Sequence, residues 1–150
     1  MVRAHRSPTP PAALAALALL LAGCEAADPG TPTVPSGGRR YVLDAAAYTT
    51  DVGPRLSARG CDSIACHGGG LRGTFELSPA DDKDPDFDFL QVARQVDPIA
   101  PALSPILQKP LAPEAGGAVH AADPAVSGFL STADPDYQLI LAWIEAGEYR

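Results

Sequence analysis

After Met1 the chain contains no methionine, so no thioether donor is available beyond its first residue. Three cysteines in 150 residues exclude a scaffold held by several disulfides. Aromatic residues make up 6% of the chain, against 16 prolines and 14 glycines, which excludes a large aromatic core. Eleven basic residues face 18 acidic ones, and that balance argues against nucleic acid as a partner. The longest apolar run, Ala12 to Ala22, is 11 residues, short of the ~20 that cross a bilayer. No sustained period-two alternation points to a sheet. Ser63 and Ser78 have no evident Asp/His partnership, and the glycines at 68–70 follow a Cys-His pair rather than a strand, so no nucleotide loop is present. No catalytic set emerges, and no enzyme activity is expected.

The N-terminus has the three parts of an export signal. Arg3, His5 and Arg6 form a basic start, Ala12 to Ala22 an apolar stretch, and Ala22-Gly23 a small-residue cleavage site. Leu21-Ala22-Gly23-Cys24 resembles the end of a bacterial lipoprotein signal. The resemblance implies that residues 1–23 are removed and that Cys24 carries the lipid, placing the chain in the cell envelope. It would face the periplasm, with the outer membrane favoured over the inner by Glu25. An ordinary secreted protein with an incidental Cys24 is the alternative. Without Arg3 and Arg6, nine basic residues (11 − 2) remain against 18 acidic ones, a net charge of −9. A basic redox partner would suit that balance.

Residues 24–40 are rich in Pro, Gly, Ser and Thr and read as a flexible, disordered tether. Residues 41–150 then form a single domain, mostly α, with long Pro/Gly-rich loops. Asp134 and Pro135 open the strongest helix, with Tyr137, Ile140, Leu141 and Ile144 on one face, Trp143 widening it, and Gly147 closing it in a left-handed conformation. Asp84 and Pro85 open a second, with Phe89, Ala93 and Val96 buried and Asp97-Pro98 as the stop. Ser104-Pro105 starts a short third one carrying Ile106 and Leu107. Asp51 to Arg59 is a weaker candidate that Gly60 would end.

The chemistry-bearing residues of the domain are Cys61, Cys66, His67 and His120. A C-x-x-C-H run is a c-type haem attachment signal. Here Cys61-Asp62-Ser63-Ile64-Ala65-Cys66-His67 has a four-residue spacer. Two thiols can add across the haem vinyl groups while the adjacent imidazole reaches the iron. Glycines after His67 would let backbone approach the porphyrin edge. A plain Cys61–Cys66 disulfide in a haem-free module of the same fold stays open, as does a Cys2His2 zinc site. The acidic run Asp81 to Asp88 lacks the glycine and terminal Glu of a calcium loop and reads as a solvated turn. Lys109-Pro110 reads as a structural turn.

Cys66-His67-Gly68, Lys109-Pro110, Gly116-Gly117-Ala118-Val119-His120 and Tyr137…Trp143-Ile144…Gly147 together resemble the small cytochrome c-like domains of exported bacterial lipoproteins. The resemblance covers nearly all of residues 41–150. It implies a cytochrome c-like fold, one covalent haem c on Cys61 and Cys66, His67 as proximal iron ligand and His120 as distal ligand. It also implies electron transfer with redox partner proteins. With Met1 the only methionine, ligation is His67/His120, or His67 alone with an open sixth position.

Overall fold

The computed structural model describes residues 38–70, 73–120 and 128–150. The signal segment, Cys24 and most of the tether therefore lie outside the described residues. Among the described residues the fold is helical with little sheet. A two-residue strand β1 (Tyr41–Val42) precedes α1 (Ala45–Ala47), a π-helical turn (Tyr48–Val52) and α2 (Gly53–Ala58). After a long loop come α3 (Pro85–Ala93), α4 (Pro105–Gln108), α5 (Pro135–Glu145) and strand β2 (Glu148–Tyr149). No helix among these residues is long and apolar enough to cross a membrane.

The first helical run starts earlier than the sequence predicts. Asp44 caps it by accepting from the Ala47 amide at 2.9 Å, so helix begins at Ala45 rather than near Asp51. Pro54 has no N–H to offer the turn before it. The backbone widens into the π turn there, with the Gly53 amide donating to the Tyr48 carbonyl. Gly60, at φ +71°, ends α2 as expected.

Asp84 caps α3 by accepting from the Phe87 amide at 3.0 Å, with Pro85 at its first position. The buried stripe of α3 differs from expectation. Asp88 and Val92 lie deepest, Phe89, Ala93 and Val96 pack only partly against the core, and the helix stops at Ala93. An aspartate can turn inward because Ser78 donates both its amide, at 2.6 Å, and its hydroxyl, at 2.9 Å, to the Asp88 carboxylate. Ser104 precedes α4, but its hydroxyl accepts from the Asp97 amide at 2.9 Å instead of capping that helix.

In α5, Tyr137, Ile140, Trp143 and Ile144 are buried. They meet Tyr48, Val52, Leu56, Val92, Leu107 and Phe129 in one core. Trp143 donates from Nε1 to the Asp44 carbonyl at 2.9 Å and lies near the rings of Tyr48 and Phe89. Gly147 does not adopt the expected left-handed conformation; Ala146 closes the helix. Glycine is needed there for another reason, since a Cβ would run into the Tyr41 ring. The Tyr41 hydroxyl donates to the Ile144 carbonyl. β1 and β2 pair antiparallel, Tyr41 opposite Tyr149, and Arg40 and Arg150 exchange backbone hydrogen bonds of 2.7 and 2.9 Å.

The Asp134 carboxylate caps α5 at the Asp136 and Tyr137 amides and also pairs with Arg59 at 2.6 Å. Burial alone would raise its pKa, but the guanidinium and the two amides outweigh burial and hold it below the ordinary aspartate range. A depressed carboxyl stabilises the fold above the unfolded pKa of about 3.9, and that contribution is lost as pH falls through the folded value. Asp134→Ala should cost on the order of 2 kcal/mol at pH 7 in urea unfolding. Asp134→Asn should retain most of the cap yet show a shallower loss of stability below about pH 4 than the wild type.

Candidate functional site

The segment after α2 curls into a tight loop, and its hydrogen bonds define the site. The Cys61 amide donates to the Leu56 carbonyl at 3.0 Å and the Cys66 amide to Ser63 at 2.9 Å. The His67 amide returns to the Cys61 carbonyl at 3.0 Å, closing a ring around the four-residue spacer. Gly68 and Gly69 lie directly against that spacer. A Cβ on Gly68 would overlap the Asp62 carbonyl, and one on Gly69 the Ile64 carbonyl. The glycines after His67 thus serve an approach between two stretches of this loop, where the sequence suggested an approach to a porphyrin edge.

The spacer is anchored from below by a buried polar network. Asp62, 2% exposed, accepts from the Ser57 hydroxyl at 2.5 Å and pairs with the Lys83 ammonium at 3.3 Å. Lys83 also pairs with Asp88 at 2.5 Å. One lysine, itself partly exposed, therefore joins the cysteine loop to α3 by lying against two buried carboxylates. The other acidic residues of the Asp81–Asp88 run are exposed, as a solvated turn requires.

Cys61, Cys66, His67 and His120 all line one cavity of about 440 Å³. Leu56, Phe75, Ile106, Pro110 and Phe129 are among its apolar walls, and Lys109 and Gln95 also line it. Lys109-Pro110 is a turn that also borders the cavity. Trp143 does not line it. Cys61 and Cys66 are free thiols. Burial, then Asp62 and Cys66, push the Cys61 thiol up to about 11, so it is protonated at neutral pH.

The two imidazoles face each other across this space, ring centres 5.8 Å apart with 30° between planes. His67 Nδ1 lies 3.2 Å from the Phe75 carbonyl, which can only accept, so Nδ1 is the donor in this contact. A metal-binding histidine is commonly fixed by such a carbonyl contact. The Phe75 ring also stands edge-on to His67 at 4.7 Å. His120 is carried by a glycine pair. Gly116 has φ +92°, and a Cβ on Gly117 would overlap the Leu111 carbonyl. Desolvation, then the Lys109 ammonium, lower the His120 pKa, leaving a neutral imidazole able to act as a donor.

This donor set suits a porphyrin iron, which takes only two protein nitrogens. Among the described residues no group of three or more His, Cys, Asp or Glu side chains is placed to hold a bare metal ion.

Sequence reasoning did not single out Arg59, two residues before Cys61. Its Nε bonds Asp136 at 2.7 Å, Nη2 bonds Asp134 at 2.6 Å, and Nη1 donates to the Gly128 carbonyl at 2.8 Å. Its guanidinium also stacks over the Phe129 ring at 4.7 Å. No family model, curated protein or solved structure matches the chain.

Lys83→Met would leave Asp62 and Asp88 buried without a counter-charge. It should cost on the order of 3 kcal/mol in chemical unfolding, after discounting for the partial exposure of the lysine. Adding Asp88→Asn should recover part of that loss.

Proposed function

We propose that this chain is a lipid-anchored cytochrome c-like electron carrier of the bacterial cell envelope, holding one covalent haem c. The observation that carries the reading is the convergence of Cys61, Cys66, His67 and His120 on one largely apolar cavity. Cys61 and Cys66 would form the thioethers, His67 would be the proximal ligand and His120 the distal one. Haem supplies a one-electron couple when bound.

The chain's own groups have separable tasks. The Phe75 carbonyl engages His67 Nδ1, which would leave Nε2 as the nitrogen offered to the iron. Neutral His120 competes less with protons for its lone pair because of desolvation and Lys109. Leu56, Phe75, Ile106 and Phe129 limit water around the site, and burial of this kind is one of the levers on a haem potential. Two imidazole donors give a lower potential than a His/Met pair, which this chain cannot form after Met1. The acidic surface would steer basic redox partners. Cys24 would hold the domain at the membrane, facing the periplasm, with the outer membrane favoured.

Full-length protein expressed in a host competent for c-type maturation should show a Soret band, an acid–acetone-resistant pyridine haemochrome and a mass raised by one haem. Colourless protein at the apo mass minus two hydrogens would replace this reading with the disulfide module. In the coloured protein, His120→Ala should convert a low-spin spectrum to a high-spin one. An unchanged low-spin spectrum would remove His120 from the ligand set.

A further inference from the structure

Arg59 lies two residues before Cys61, yet its guanidinium engages Gly128, Phe129, Asp134 and Asp136, all beyond His120 in the chain. Those partners are 69 to 77 residues away. The guanidinium is half-buried and engages two carboxylates, a carbonyl and an aromatic face together. That is far more than a surface ion pair offers.

Phe129 transmits this hold toward His120. The Phe129 amide donates to the Pro110 carbonyl at 2.8 Å, and its carbonyl accepts from the Ala112 amide at 2.8 Å. Leu111 and Phe129 form a parallel bridge between those bonds. The Gly117 amide then donates to the Ala112 carbonyl at 3.1 Å, and its backbone is pressed against Leu111. His120 follows three residues later. A continuous set of short contacts thus runs from Arg59 through Phe129 and Leu111–Ala112 to the Gly-Gly step that presents His120. Pro110 and Phe129 are themselves walls of the cavity.

We propose that Arg59 is a positioning residue for the His67/His120 pair: it clamps the wall carrying His120 to the helix end that leads into Cys61, and so sets the distance between the two imidazoles. The proposal rests on the haem reading above. It goes beyond that reading by assigning control of the distal ligand to a side chain that does not line the cavity.

The test compares full-length, matured wild type with Arg59→Met, Arg59→Lys and Ile140→Ala. The last truncates the α5 core and serves as a stability control. Arg59→Met should keep its covalent haem by mass and pyridine haemochrome. At a temperature where it is folded, more than half of its haem should become high-spin, and added imidazole should restore the low-spin spectrum. Arg59→Lys should fall between it and the wild type. Ile140→Ala should remain low-spin despite its lower melting temperature.

A low-spin spectrum in Arg59→Met equal to that of the wild type would overturn the proposal, as would an equal high-spin fraction in Ile140→Ala. If Arg59→Met does not accumulate, Asp136→Asn removes one of the two carboxylates and should give a smaller high-spin fraction that imidazole also reverses; no such fraction would count against the clamp. A haem-free wild type would sink the functional reading alone. The clamp would then be read from ring-proton NOEs between His67 and His120, expected in the wild type and lost in Asp136→Asn or Arg59→Met. NOEs unchanged in those variants would overturn it.

Discussion

A single guanidinium ties together parts of this domain that the chain keeps far apart. Arg59 stands at the end of α2, and its partners at Asp134 and Asp136 open α5. The helix that leads into the cysteine loop and the helix that fills the core are therefore referenced to one another at their ends. Charge-assisted bonds of 2.6 and 2.7 Å, largely shielded from solvent, make that reference stiff. The Asp134 side chain caps a helix and binds the guanidinium with the same oxygen, so helix start and tertiary contact form together. The cavity lies between elements whose spacing this junction governs.

A second constraint works from the opposite side. A four-residue spacer between the cysteines would be a floppy excursion if left in solvent. Here Asp62 turns inward to Ser57 and Lys83, while Gly68 and Gly69 press against the backbone of the same spacer. The loop is thus ordered by its own close packing and by one buried ion network. Ile64, 72% exposed, is left at its outer edge. The result places both thiols and His67 along a single cavity wall.

Helix starts were legible because they depend on local chemistry. Asp84-Pro85 and Asp134-Pro135 each combine a capping carboxylate with a residue preset for the first turn. The four candidate site residues were legible by type and by the Cys-His adjacency. Their convergence was implied by the family resemblance but not by spacing, because it depends on the path of the chain between Gly70 and His120. The inward turn of Asp88 was hidden for a similar reason: an aspartate is buried only when distant partners satisfy it, and Ser78 and Lys83 become visible as such only in three dimensions. Arg59 entered the sequence reading only as the last residue of a weak helix candidate before Gly60. Gly147 suggested a helix stop, but its small size answers the Tyr41 ring. The two-residue strands are too short to leave any alternation to read.

The pairing of Arg40 with Arg150 has a mechanical consequence. Any tension carried by the chain as it enters at Arg40 arrives first at two backbone hydrogen bonds and the Tyr41 anchor on Ile144. These contacts sit at the margin of the fold, apart from the Asp62–Lys83 and Arg59 junctions. A pull at Arg40 would load the strand clasp before it reaches the helices that line the cavity. The strand clasp is thus a strain relief at the edge of the domain.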